Sequence, residues 1–91
     1  MLNIKQILTV SLEHISEETE QKLKVEPDTD ALGLSVYQKA DFGYYIDITD
    51  QIDCDRLPED LRTLVLLTKD LKCDVLCLDC DAKIVPYLKT Y

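Results

Sequence analysis

The order strand, helix, strand, strand, helix, strand can be read along this chain, and it predicts an α+β fold of the ferredoxin-like split βαβ kind. Three runs carry that reading. LSVYQKADFGYYIDI alternates as a hairpin, LPEDLRTLVLLTKDLK sweeps an apolar stripe at helical spacing, and DVLCLDC is a short apolar strand. The expected architecture is an antiparallel sheet (β-α-β-β-α-β) with two helices on one face. A three-stranded sheet with rearranged strand order is the competing arrangement. The chain has 91 residues, which makes a single domain, 1–91, with one modest core.

Each element has its own local cause. From Ile7 to Leu12 the residues alternate, with Leu8, Val10 and Leu12 on one face and Ile7, Thr9 and Ser11 on the other. Ser16 is a good N-cap, and Glu17 and Glu18 follow it in the first turn, where carboxylates favour the positive end of the helix dipole. Glu18–Lys22 and Glu20–Lys24 are i,i+4 pairs, and this first helix ends by Val25, ahead of Pro27. PDTDALG reads as a loop. Leu32 to Lys39 alternates again, Ala40 to Gly43 turns the chain, and Gly43 is expected to supply the left-handed position of that turn.

On the returning strand Tyr44, Ile46 and Ile48 share a face, with Tyr45 and Asp47 behind them. The acidic loop TDQIDCDRL leads to Pro58 as first helical residue, with Glu59 and Asp60 in the first turn and Lys69 and Lys72 in the last. Leu57, Leu61, Leu64, Val65, Leu67, Thr68 and Leu71 form the stripe, and Leu66 points away from it. Asp74 to Cys80 is the last clear strand, and the tail DAKIVPYLKTY reads as a short edge strand interrupted at Pro86. The face meeting the helices should be Leu8, Val10, Leu12, Leu34, Val36, Ile46, Ile48, Leu76 and Leu78. The open face should show Ile7, Thr9, Tyr37, Tyr45, Asp47, Val75, Cys77 and Asp79.

Charge narrows the function. Eighteen acids against ten bases give a net charge of −8, which repels phosphate backbones and argues against direct nucleic-acid binding. Seven acids lie between Glu13 and Asp30, with Lys22 and Lys24 for balance, and six more between Asp47 and Asp60, with Arg56 alone. Such clusters usually mark solvated faces, and their functional form is a surface that meets a basic partner. No apolar run is long enough to cross a bilayer and no secretory signal is visible, so the expected location is the cytoplasm.

Catalytic and metal chemistry find little footing. Cys77 and Cys80 form a CxxC, but along a strand residues three apart point to opposite faces and sit about 10 Å apart, too far to share a zinc or a disulfide. The four cysteines read as reduced thiols, and no metal or cofactor is expected. His14, the sole histidine, has no evident acid–base partner and reads as a surface residue. Asp79 and Asp81 resemble a DxD pair, with one in a strand and the other in the turn. With only Gly33 and Gly43, the chain has no glycine-rich phosphate cradle or nucleophile elbow. Tyr37 and Tyr45 sit on the open face, but the basic and glycine-aromatic signature of single-strand RNA binders is missing, so protein contact is the preferred role.

LSVYQKADFGYYIDI, LPEDLRTLVLLTKDL and KCDVLCLDCDAKIVPYL together resemble a family of small uncharacterised proteins, a domain of unknown function found in plasmids, phages and bacterial genomic islands. The likeness rests on an LxVY strand, a Gly-aromatic turn, LPxDL opening a helix, a cysteine, an LDxD-type strand end and a late Pro-Tyr. HISEETEQKL resembles its N-terminal segment. The chain departs at Ala82, where the family has glycine. The resemblance implies a mobile-element setting and no activity.

The reading is a small acidic, non-enzymatic interaction protein, a phage or mobile-element accessory that binds or inhibits a basic, nucleic-acid-binding host protein. Its candidate contact residues are Asp50, Asp53 and Asp55 in the acidic loop, Leu66 on the outer face of the second helix, and Tyr37 and Tyr45 on the sheet. Leu66 also offers a homodimer contact. The alternative is a small-ligand-binding domain using the open sheet face or a dimer cleft. No membrane partner is expected.

Overall fold

The computed structural model describes residues 4–25 and 34–91. Within them run β1 (Ile7–Ser11), α1 (Glu17–Val25), β2 (Ser35–Lys39), β3 (Gly43–Asp47), α2 (Glu59–Asp70) and β4 (Val75–Asp79), in the order read from the sequence. Two 3-10 turns, Leu12–His14 and Cys54–Arg56, precede the two helices. The fold is α+β, a four-stranded mixed sheet with two helices. The expected loop PDTDALG and the strand start at Leu32 lie outside the described residues.

The strand order is β1-β4-β3-β2 rather than the ferredoxin-like one, and it also differs from the three-stranded alternative. β1 pairs in parallel with β4, while β4–β3 and β3–β2 are antiparallel. Burial gives the physical reason. Val75, Leu76, Cys77 and Leu78 of β4 are all buried, whereas β1 buries only Val10 and Ser11. A continuous apolar run is best placed between two neighbours with both faces covered, so β4 takes an inner position. Ile7 and Thr9 are exposed and tolerate the edge.

The core face is the one expected. Leu8, Leu76, Ile46 and Val36 stand in register across the sheet, and Val10, Leu78 and Tyr44 form the next row. All nine predicted positions lie in one cluster or pack against it, together with Leu23 of α1 and Leu61, Leu64 and Val65 of α2. On the opposite face Val75 and Cys77 are also buried, Cys77 at 1% exposure, so this surface is less open than the pattern predicted.

Four further expectations change, the first being that Pro58, at ψ 150°, caps α2 instead of opening it. Leu71, assigned to the α2 stripe, is exposed. The helix stops at Asp70 because Lys72 turns left-handed, at φ 58°, and donates its N–H to the Lys69 carbonyl while Cys73 donates to Thr68. That is a Schellman closure made without glycine. In the hairpin, Ala40 rather than Gly43 takes the left-handed position, at φ 45°. Gly43 serves a different need, since a Cβ there would collide with the Leu78 carbonyl of the neighbouring strand. The tail forms no strand; it crosses the helix side as an irregular strap.

Gly43→Ala therefore tests sheet packing rather than turn geometry. It should destabilise the domain by about 1–3 kcal/mol in denaturant unfolding, since β3 or β4 must shift to admit the methyl group. A neutral result would mean that the two strands do not approach so closely.

Candidate functional site

The acidic end of the molecule is built by one carboxylate. Asp60, in the first turn of α2, is buried, and its Oδ2 accepts the Ser16 N–H at 2.7 Å. Its Oδ1 accepts the Thr19 hydroxyl at 2.9 Å and the Leu61 N–H at 2.8 Å. Ser16 caps α1 as the sequence predicts, its Oγ accepting the Thr19 N–H at 3.2 Å. Burial pushes the Asp60 carboxyl up, but the donors from Ser16, Thr19 and Leu61 outweigh it and hold the group below the ordinary carboxylate range. The starts of α1 and α2 thus meet, although 44 residues separate Ser16 from Asp60.

His14 lies beside this junction and is not a surface residue, being only 2% exposed. Its Nε2 accepts the Val85 N–H at 2.9 Å, and its Nδ1 stands 2.8 Å from the Lys89 carbonyl. A carbonyl only accepts, so Nδ1 carries the proton and the ring is neutral. The residue missed its expected place because both partners are backbone groups of the tail. Tyr91 adds a third tie, donating its N–H to the Glu13 carbonyl at 2.9 Å, and Val85 and Leu88 pack against the core.

The strapped tail leaves two depressions. One, of about 160 Å³, lies between tail and α2, bordered by Glu59, Thr63, Leu64, Tyr87 and Tyr91, with His14 and Asp60 in its lining. The other, of about 380 Å³, is bordered by Glu13, Glu17, Glu20, Gln21, Lys24 and the same Tyr91. Lys24 is paired with Glu20 at 3.3 Å, and Tyr44 donates its hydroxyl to the same Glu20 carboxylate at 3.2 Å. Burial, with Glu20 adding to it, pushes the Tyr44 hydroxyl up to about 12. Among the described residues the carboxylates of Glu13, Glu17 and Glu59 have no ion-pair or hydrogen-bond partner.

None of the six residues singled out from the sequence borders these two depressions. Asp50, Asp53 and Asp55 occupy the exposed β3–α2 loop. Asp53 has a folding role there, its Oδ1 capping the 3-10 turn by accepting the Asp55 N–H at 3.1 Å. Arg62 braces the same loop through the carbonyls of Cys54 and Leu57, at 2.9 and 3.0 Å. Leu66 stands exposed on the outer face of α2, as expected. Tyr37 and Tyr45 are direct cross-strand partners, and the Lys39 ammonium lies 5.6 Å from the centre of the Tyr45 ring. Glu13, Glu17 and Glu59 belong to acidic runs visible in the sequence, but nothing in either run signals that the two meet.

At the far end of β4 the DxD pair does come together. The ligand atoms of Asp79, Cys80 and Asp81 lie within 4.8 Å of one another. Asp79 is already engaged, its Oδ2 bonded to Lys39 at 2.5 Å and its Oδ1 accepting the Asp81 N–H at 2.8 Å. Lys39, and after it the Asp81 N–H, lower the Asp79 carboxyl. Burial and then the two flanking acids raise the Cys80 thiol, while burial raises Cys77 despite Lys39 nearby. Both shifts favour the thiol over the thiolate that nucleophilic attack requires.

The Asp60 junction carries a pH prediction. A carboxyl held below its ordinary range stabilises the fold above the unfolded-state value, about 3.9, and loses that contribution as pH falls. Asp60→Asn should cost about 1–3 kcal/mol at pH 7, since an amide cannot accept three donors, and should show a shallower loss of stability between pH 5 and pH 2. Urea unfolding across that range decides it; parallel declines for variant and parent would remove Asp60 from the account.

No curated protein and no solved structure matches this chain. Residues 7–91 match the C-terminal domain of a family of unknown function, DUF5983, and the chain belongs to that family.

Proposed function

We infer that this domain is a non-enzymatic interaction protein that meets a basic partner through the end where both helices begin. One observation carries the reading: the Asp60–Ser16 contact joins two acidic runs distant in sequence, so that Glu13 and Glu17 border one depression and Glu59 the next, with Tyr91 between them. A concentrated field of one sign steers a basic surface and speeds its association. A nucleic-acid-binding host protein offers such a surface, and occupying its groove would exclude DNA or RNA. The mobile-element setting implied by the family resemblance is consistent with an accessory of that kind.

The reading moves the binding surface away from Asp50, Asp53 and Asp55. The last two are tied together by the 3-10 cap, and none of the three stands beside an aromatic depression described above. The competing small-ligand reading, on the sheet face around Tyr37 and Tyr45, has support only in their pairing across β2 and β3.

The test compares two neutralised variants. The combined change Glu13→Gln, Glu17→Gln and Glu59→Gln should abolish salt-sensitive retention of basic proteins from a nuclease-treated lysate, while Asp50→Asn with Asp55→Asn should retain most of it. For the parent domain, retention should vanish toward ~1 M salt, where the Debye length falls to about 3 Å. Retention that ignores salt, or survives the triple change, would overturn the reading.

A further inference from the structure

The depression between the tail and α2 is chemically more specific than an acidic patch. Its lining is aromatic and aliphatic, with Tyr87, Tyr91, Leu64 and Leu88, and includes Glu59, whose carboxylate has no partner among the described residues. Tyr87 is 78% exposed, so its ring is free to lie against an incoming group. The other charges facing the space are accounted for. Asp60 spends its oxygens on Ser16, Thr19 and Leu61, His14 is neutral and bonded at both nitrogens, and among the described residues Lys89 is the one ammonium in the lining. At about 160 Å³ the space is close to a cavity of about 150 Å³ that admits benzene, and so holds a planar group of that size.

We propose that this depression receives an arginine side chain of the basic partner, its guanidinium lying on the tyrosine rings and paired with Glu59. The proposal rests on the acidic-end reading given above and names its anchor. Arginine fits better than lysine for three physical reasons. Its guanidinium is planar and stacks on an aromatic face, it loses less hydration on entering an apolar cleft, and its fork matches a carboxylate. A lysine ammonium is a strongly hydrated point charge that gains more from staying in water. Beyond Tyr91, Glu13 and Glu17 stand ready for a second base of the same segment, so a basic stretch would straddle that ring.

The experiment uses the whole chain and two synthetic peptides of equal length and charge, one with four arginines and one with four lysines. Binding is followed at low salt by amide and tyrosine-ring NMR shifts. The arginine peptide should bind about threefold or more tighter and shift Thr63, Leu64, Leu88 and Tyr91 in a saturable way. Tyr87→Ser and Glu59→Gln, both at exposed positions, should each bring its affinity down to that of the lysine peptide, while Asp50→Asn leaves the preference intact. Equal affinities, with shifts spread over the β3–α2 loop, would overturn the arginine cleft and leave the acidic-surface reading standing. An arginine preference that survives both variants and shifts Tyr37 and Tyr45 would relocate the site to the sheet. Binding of neither peptide would overturn cleft and acidic surface together.

Discussion

A single buried carboxylate ties together the starts of the two helices. An α-helix begins with backbone N–H groups that its own turns cannot satisfy, and its N-terminus carries a partial positive charge. Here two such ends are brought side by side, an arrangement that is repulsive unless negative charge sits between them. Asp60 sits there. It serves α2 from within its first turn and reaches across to the Ser16 N–H and the Thr19 hydroxyl of α1. Charge-assisted bonds of this kind are shorter and stronger than neutral ones, and losing the acceptor would strand a donor at the start of α1.

The same geometry explains part of the acidity without reference to any partner. Glu17 and Glu18 lie in the first turn of α1 and Glu59 in that of α2, where carboxylates offset the two dipoles by about 0.3–1 kcal/mol each. Glu13 lies in the 3-10 turn ahead of α1, and its carboxylate remains outside that account. The acidic end is therefore partly the electrostatic consequence of helix placement. What helix placement does not account for is the exposed pair Tyr87 and Tyr91, which the tail, tied down by a buried histidine, lays beside those charges.

Local pattern was readable from the chain, and long-range partnership was not. The period-two runs placed nine sheet residues on the core face, and the 3.6-residue stripe of α2 put Leu61, Leu64 and Val65 inside and Leu66 outside. Strand order escaped because β1 and β4 are both short and apolar, and only the summed burial of Val75 to Leu78 decides which lies inside. Gly43 was legible as a special residue, but its reason was a carbonyl on another strand rather than its own dihedral angle. His14 escaped for a related cause. Its partners, the Val85 N–H and the Lys89 carbonyl, are backbone groups, and backbone groups leave no mark on residue type.

For the proposed interaction role two aromatic surfaces compete, and their existing partners separate them. On the sheet, Lys39 is committed to Asp79 and lies over Tyr45, and Val75 and Cys77 are already covered by their neighbours. Docking there would remove little further apolar area around those two strand residues and would disturb a formed ion pair. Tyr37 is about as exposed as Tyr91, so the difference at the acidic end lies in Tyr87 and in the charges. Tyr87 and Tyr91 are exposed, and Glu13, Glu17 and Glu59 lack partners among the described residues. Binding energy comes from groups whose interactions are not yet made, and hot spots favour exposed aromatics that a partner can desolvate. Under the proposed interaction role, that criterion favours the strapped tail over the sheet face and the β3–α2 loop.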